Sequence, residues 1–267
     1  MSKKSNKTNL IISIIAILVG CVLACSNLIP NDYIKLIAVI ATLAYGLFGL
    51  MKWLSSDEEE TNECAYISTA YLGPIQLYSK LYAYPVVRLE MEENYVKQTY
   101  RNRCVIAAAN GAQALTIPIV KPDTLKCPTR DIRISDHGNW RHLHWNSLVS
   151  AYNMSPFFEY YEEDFAPFYE KKYEFLLDFN ERLRETICSL IDIQPHILPT
   201  TEYEVSPQHD FRELISPKCH QEDPSFLPVP YYQVFKEKHG FLPNLSIVDL
   251  LFNMGPESAL ILKQTIR

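Results

Sequence analysis

The chain has 267 residues and a net charge of −6 at pH 7, from 25 basic and 31 acidic residues. Residues 1–54 hold five of the basic residues and one of the acidic residues, so the rest of the chain carries −10. Such an acidic domain lacks the basic surface that nucleic acid or anionic lipid headgroups require, and we expect no nucleic-acid partner.

The seven cysteines and the absence of common site motifs narrow the possible chemistry. The cysteines are scattered and include no Cys-x-x-Cys pair, a pattern that argues against both a disulfide framework and a zinc ribbon. Nucleotide-binding glycine loops, the serine-hydrolase elbow and the His-Glu-x-x-His zinc motif are also missing from the sequence. We therefore predict no metal site and no cofactor.

Two apolar runs near the N-terminus predict a membrane hairpin within residues 1–54. The runs cover 10–29 and 33–54, and each is long enough to cross a hydrocarbon core, which requires about 20 residues. Lys3, Lys4 and Lys7 precede the first run, and this positive flank predicts that both chain ends face the cytoplasm. We expect residues 10–54 to contact the lipid bilayer, as in a multi-pass protein of the inner membrane.

A lipoprotein signal is the alternative interpretation of this segment. The sequences that end at Cys21 and Cys25 both resemble a lipobox. Cleavage there would leave 33–54 as an anchor and would place the remaining chain outside the cytoplasm. The sequence leaves open whether either cysteine is lipidated.

An acidic linker and one α/β domain follow. Residues 55–63 contain no apolar side chain and predict a short solvated linker before a domain at 64–267. Predicted strands at 65–70 and 86–90 flank a helix at 74–82, which indicates a parallel βαβ unit.

Further strands are predicted around an antiparallel turn. Strands at 104–108 and 114–120 flank Asn110-Gly111, a strong hairpin signal. The alternation of Ile132 and Ile134 with polar residues predicts another strand. The fold class is therefore α/β, with a mixed sheet, surrounding helices and two preceding transmembrane helices.

The C-terminal half is mainly helical by its apolar spacing. Trp140, His144, Leu148 and Tyr152 recur every four residues and share one face of a predicted helix at 140–152. The remaining predicted elements are a helix at 175–190, a strand at 196–198, a loop at 200–230 with a helical stretch at 211–215, a helix at 246–252 capped by Ser246, and a final helix at 258–266.

Three ordered segments dense in aromatic and polar side chains occupy 94–104, 140–152 and 239–253. They contain Arg101-Asn102-Arg103, Trp140-Arg-x-x-His144 and Pro243–Ile247 followed by Asp249. Over roughly residues 66–257, these motifs resemble the WbqC-like family of bacteria, in a Bacteroidetes-type form with an added membrane hairpin. Many family members have a Gln-Pro pair near 68–74 that this chain lacks.

The resemblance implies a role in surface polysaccharide (O-antigen or lipopolysaccharide) biosynthesis. Arg101, Asn102, Arg103, Trp140 and Asn244 are candidate substrate-binding residues. Arginine grips phosphate through paired N–H donors, so Arg101 or Arg103 would bind the diphosphate of a nucleotide-sugar. The alternative is a structural arginine tied to an acidic side chain.

His144 and Asp249 are the candidate catalytic residues. His144 is a potential general base, although a histidine on an apolar helix face is often a core residue. The charge of Arg103 would lower the thiol pKa of Cys104 and permit acyl transfer, unless Cys104 simply begins a buried strand. The aromatic residues Phe157, Phe158, Tyr160 and Tyr161 suit either sugar stacking or core packing.

Two function hypotheses follow. The first is a transferase, acyl, aminoacyl or sugar-modifying, that acts on an amino- or nucleotide-sugar. The second is a non-catalytic membrane-anchored factor that holds polysaccharide-biosynthesis proteins together. Convergence of Arg101, Asn102, Arg103, His144 and Asn244 on one cleft would favour the enzyme, whereas dispersal over the surface would favour the assembly factor.

Overall fold

The computed structural model describes residues 11–19, 21–22, 32–62, 64–122, 124, 126–219 and 221–267, without the side chains of 32, 34–35 and 52–62. The three N-terminal lysines, the turn at 30–31 and Cys25 lie outside the described residues. The chain divides into two compact units, residues 1–63 and 64–267.

The first unit contains helical residues 11–19 and helix α1 (Asp32–Asn62). A Cβ atom added to Gly46 would lie 2.5 Å from the Ile17 Cγ1 atom, so glycine permits the close approach of these helices. α1 continues through 55–62, and the expected linker is helical there because its glutamates favour a helix.

Among the described residues, no helix combines the length and the apolar character needed to cross a membrane. The two transmembrane helices predicted at 10–29 and 33–54 are therefore unsupported.

The second unit is built on a parallel sheet. Its strands are β1 (Cys64–Ile67), β2 (Val86–Leu89), β5 (Ile197–Pro199) and β6 (His209–Asp210). Their order is β5-β2-β1-β6, and every neighbouring pair is parallel. Helix α2 (Ile75–Ala83) connects β1 to β2, which confirms the predicted βαβ unit.

A separate antiparallel hairpin consists of β3 (Arg103–Ala108) and β4 (Gly111–Thr116). Its turn is Ala109-Asn110, one residue earlier than predicted, and Gly111 follows with a φ of 105°. The parallel and antiparallel strands thus lie in two sheets instead of one mixed sheet. Ile132 and Ile134 are both buried as their alternation predicted, but in the described chain this stretch forms only isolated bridges.

The remaining helices are α3 (Trp140–Tyr152), α4 (Phe158–Glu170), α5 (Leu176–Ile191), α6 (Lys236–His239), α7 (Ile247–Met254) and α8 (Ser258–Gln264). α3 has the predicted bounds and buries its four predicted face residues. The stretch predicted to be helical at 211–215 is a turn. Ser246 was predicted to cap α7, but its hydroxyl donates instead to the carbonyl of Leu72 at 2.7 Å.

α7 is a central helix of the core, with 247–253 all buried. The Phe252 ring lies 5.1–5.3 Å from the rings of Tyr152, Phe158 and Phe165, so α7 packs against α3 and α4. Because Phe158 is buried whereas Tyr160 is 77% exposed, the aromatic residues at 157–161 do not form one sugar-stacking platform.

Candidate functional site

The three motif segments meet at the loop that follows β1. The Tyr71 N–H donates to the carbonyl of Tyr100 at 2.9 Å, and the Tyr71 hydroxyl lies 2.9 Å from His144 Nδ1. The Ile75 N–H donates to the carbonyl of Leu245 at 3.0 Å. The motifs therefore converge on this loop, and the direction of each side chain decides its role.

Arg101 is committed to a buried ion pair. Its Nε and Nη2 atoms donate to the two carboxylate oxygens of Glu93 at 2.7 and 2.5 Å. Nη2 also donates to Ser68 Oγ and Nη1 to Thr99 Oγ1, and Arg101 is only 3% exposed. A phosphate would have to displace Glu93, so the geometry supports the structural alternative for Arg101.

Asn102 and Arg103 have different environments. Asn102 is buried, and its Nδ2 donates to the carbonyl of Ile117 at 2.8 Å. Arg103 is half-buried, and its Nε donates to Thr116 Oγ1 at 3.0 Å. Its two terminal nitrogens have no hydrogen-bond partner in the part of the chain that the structure describes. Arg103 is therefore the motif arginine with donors available for an anion.

His144 lies in an aromatic pocket of the core. It is 6% exposed, and its neighbour Tyr71 also contacts the hydroxyl of Tyr169 at 2.9 Å. The Trp140 ring meets the imidazole edge-on with the centroids 5.1 Å apart. Burial lowers the pKa of His144 to about 4, so the ring is neutral at pH 7. This environment supports the core-histidine alternative.

Trp140, a predicted substrate-binding residue, is buried in the same pocket. Its Nε1 atom has no hydrogen-bond partner among the described residues. The ring is 4% exposed, so it does not face a cleft.

Asp249 is fully buried in a hydrogen-bonded cluster. Its Oδ1 accepts from the Tyr152 hydroxyl at 2.8 Å, and its Oδ2 accepts from the Tyr231 hydroxyl at 2.5 Å and from Gln233 Nε2 at 3.1 Å. Burial raises the pKa of this carboxyl, and the three donors oppose that effect. The cluster joins α7 to α3 and to the segment at 231–233. A catalytic role for Asp249 stays a prediction, and the buried carboxylate is not exposed to a substrate.

Of the two alternatives for Cys104, the structure supports the buried strand residue and not the activated thiol. Cys104 is 1% exposed, and burial raises its pKa far above the ordinary value. Consecutive strand residues point to opposite faces, so Arg103 and Cys104 do not share a side of the hairpin. The thiol stays protonated at neutral pH.

An open cleft of about 520 Å³ lies beside Asn244 and the start of α2. Asn244, with a φ of 52°, accepts from the Gln76 N–H at 2.9 Å and donates to Gln76 Oε1 at 3.1 Å. Gln76 Nε2 in turn donates to Asp223 Oδ2 at 2.9 Å. Tyr100 and Ser216 also line this cleft. Asn244 is thus a predicted site residue that lines this cleft.

A buried lysine anchors the wall of this cleft. Lys80 Nζ lies 2.8 Å from Asp223 Oδ2 and donates to Ser225 Oγ at 2.7 Å. Burial lowers the pKa of Lys80. Burial alone would raise the pKa of Asp223, but the hydrogen bonds from Lys80, Gln76 and Ser225 outweigh this effect and lower it. Gln76 and Lys80 lie outside the three sequence motifs, although their four-residue spacing places them on one helix face.

A third buried ion pair lies at the carboxyl ends of the parallel strands. Arg212 Nη1 donates to Glu90 Oε2 at 2.7 Å, and both side chains are at most 2% exposed. Arg212 also forms a two-point contact with Asp210 at 2.9 and 2.6 Å. These groups satisfy one another and hold the strand ends together. Glu90 and Arg212 lie outside the three sequence motifs, although Glu90 directly follows an apolar strand.

Among the described residues, no cluster of three histidine, cysteine or acidic side chains is placed to hold a metal ion.

Comparisons with known proteins identify relatives. The model of the WbqC-like protein family matches residues 70–225, more than half of the chain. The uncharacterized protein Rv1507c of Mycobacterium tuberculosis is 28% identical over 191 residues, which cover 61% of this chain and 81% of that protein. No solved structure matches the chain significantly.

Proposed function

Because this chain belongs to the WbqC-like protein family, we propose that its second unit binds a sugar in the cleft beside Asn244, as a transferase of surface polysaccharide biosynthesis. The ligand would be an amino-sugar or a nucleotide-sugar. The observation that carries this proposal is the pair of side-chain amides, Asn244 and Gln76, at the cleft wall.

Each of these amides has a donor left for a ligand. An amide nitrogen carries two N–H groups, and one from Asn244 binds Gln76 while one from Gln76 binds Asp223. The other N–H of each amide is available to the oxygens of a hydroxyl-rich ligand. Since their mutual hydrogen bonds already orient both side chains, binding would cost little further ordering.

Arg103 does not line this cleft, and it is proposed as a separate contact for a phosphate of the donor. Its terminal nitrogens lack partners in the described chain, whereas those of Arg101 are engaged by Glu93 and its neighbours. Two parallel N–H groups of a guanidinium match two phosphate oxygens.

A non-catalytic assembly factor is the second candidate function. The observation that favours it is the burial of His144, Asp249 and Cys104, each of which was a candidate for chemistry. In this case the cleft would recognise a sugar without turning it over, and polysaccharide-biosynthesis proteins would be the partners.

Removal of the Asn244 side chain should weaken sugar binding by about 2- to 12-fold, the value of one net hydrogen bond. Asn244→Gly is the suitable variant because glycine accepts the φ of 52°. Titration calorimetry and thermal stabilisation would use a panel of nucleotide-sugars and amino-sugars. The same titrations with Arg103→Lys examine the phosphate contact.

Asn146→Ala is the matched control, since Asn146 is an exposed amide that lies outside this cleft. Equal affinities for Asn244→Gly and Asn146→Ala would remove the cleft from consideration. Binding without turnover in the presence of acyl donors would favour the assembly factor.

We also propose that residues 10–54 attach the protein to the inner membrane, with residues 64–267 in the cytoplasm, as in a Bacteroidetes-type member. In the described chain, helix α1 exposes large apolar side chains, including Ile37 at 67%, Phe48 at 69% and Met51 at 70%. Exposed apolar surface of this kind is typical of a membrane or protein contact.

Fusions after Arg267 report the side of the membrane. We expect a fluorescent-protein fusion to fluoresce and an alkaline phosphatase fusion to be inactive, because the N-terminal lysines favour the cytoplasm. An active phosphatase fusion would contradict this topology and would support lipidation at Cys21 or Cys25.

A further inference from the structure

The outer edge of β4 is available for strand pairing at Ala112 and Ala114. Around the two-residue turn, Gly111 and Gln113 exchange hydrogen bonds with β3, so the backbone groups of Ala112 and Ala114 point away from it. Neither alanine has a further backbone partner in the described chain, and both are exposed.

The opposite edge of the hairpin is closed. The Val105 carbonyl accepts from the Ser246 N–H at 2.7 Å, and the Ala107 N–H donates to the Tyr152 hydroxyl at 3.3 Å. In the described hairpin, the β3 edge is therefore occupied, whereas the β4 edge is free at Ala112 and Ala114.

A groove of about 740 Å³ lies between this edge and α3. Its described lining is uncharged and mostly small, including Gly111, Ala114, Ser147 and Ser150, with Leu143 as a larger apolar side chain. Leu143 is 57% exposed. A strand added beside β4 would therefore find both backbone partners and room for its inward side chains.

We propose that β4 pairs antiparallel with β4 of a second copy of this chain. A two-fold axis perpendicular to the sheet at Gln113 places Ala112 of one copy opposite Ala114 of the other, so their outward N–H and C=O groups match. Both α3 helices then lie on the same face of a four-stranded sheet, and Leu143 and Ser150 of each copy fill the groove. The contact is isologous, as two-fold symmetry requires.

Charge favours a second copy as the occupant. β4 carries no charged residue, although the chain has 31 acidic residues, and it lacks the lysine or proline that commonly protects a free edge. Lys238 and His239 bond to the Ala109 carbonyl at the turn. The two-fold axis sets the two turns at opposite ends of the strand pair, about 20 Å apart, so these cations do not meet.

Sedimentation velocity of the full chain in detergent tests the pairing. We expect a concentration-dependent dimer that Leu143→Glu weakens by about tenfold or more, because a carboxylate would be buried in the groove. Leu260→Glu is the control, since Leu260 is similarly exposed, at 61%, on α8. A dimer held by residues 1–63 alone would respond to neither substitution.

A symmetric disulfide gives an independent readout. In the proposed register Gln113 faces its own counterpart in a closely spaced pair, so Gln113→Cys should form a covalent dimer under mild oxidation. The parent chain, with its native cysteines, and Leu260→Cys are the controls. A monomer at every concentration, equal dimerisation of the two Glu variants, or no added crosslink at 113 would each overturn the proposal. The proposal would also be overturned if a different protein were found paired with this edge of β4.

Discussion

Arg101→Ala is expected to lower the free energy of unfolding by about 3–5 kcal/mol, since it leaves a buried carboxylate without its partner. The Glu93 side chain is only 6% exposed and receives two hydrogen bonds from Arg101. Without the guanidinium, the Glu93 carboxylate still accepts a hydrogen bond from the Ser68 hydroxyl at 2.8 Å. Denaturant titration of the parent and the variant measures the loss.

Two further variants separate burial from charge. Arg133→Ala breaks an ion pair with Glu174 whose side chains are 58% and 60% exposed, so a change of about 1 kcal/mol or less is expected. The double variant Arg101→Met with Glu93→Leu should recover much of the loss, because no charge remains buried. If Arg101→Ala costs no more than Arg133→Ala, Arg101 is free for a ligand and the phosphate hypothesis returns.

His144 is expected to make the protein less stable as the pH falls from about 6.5 to 4. Its folded pKa is lowered to about 4 by burial, against an ordinary value of 6.5. As the pH falls, His144 therefore binds a proton in the unfolded chain before it does so in the folded protein. The stability that the neutral His144 contributes is fully present above pH 6.5 and is lost as the pH falls toward 4. The full loss is about 3 kcal/mol at about 1.4 kcal/mol per pKa unit.

Comparison of variants isolates this contribution. In His144→Gln, the drop in unfolding free energy between pH 7 and pH 4 should be smaller than in the parent by this amount. His142→Gln, at an exposed position two residues earlier, should keep the full drop. Identical pH profiles for all three proteins would show that His144 is already accessible to protons in the folded state.

Local periodicity predicted the elements that depend on local burial. The bounds of α3 follow from apolar residues at four-residue spacing, and the parallel pairing of β1 with β2 follows from one helix between two short apolar runs. β6 is two polar residues, His209 and Asp210, and becomes a strand only by pairing with β1. A pattern that contains no apolar alternation cannot reveal such a strand.

The candidate site shows the same limit. The sequence indicated where polar side chains concentrate, but not which group each one binds. Arg101 turns to Glu93 and Asn244 to Gln76, partners that lie 8 and 168 residues away in the chain. One alternative for Cys104 was that the adjacent charge of Arg103 lowers its thiol pKa, but strand alternation separates the two side chains. Side-chain direction, set by tertiary packing, therefore decides which motif residues remain available to a ligand.

The pairing of the late strand β6 with the early strand β1 has a consequence for folding during synthesis. Glu90 and its partner Arg212 are separated by 122 residues. A nascent chain emerging from the ribosome presents β1, β2 and β5 before β6 exists, with the Glu90 carboxylate unmatched and one sheet edge open. Contacts of such long sequence separation slow folding. The sheet must therefore stay incomplete and exposed to chaperones or to wrong strand partners until Arg212 has been made.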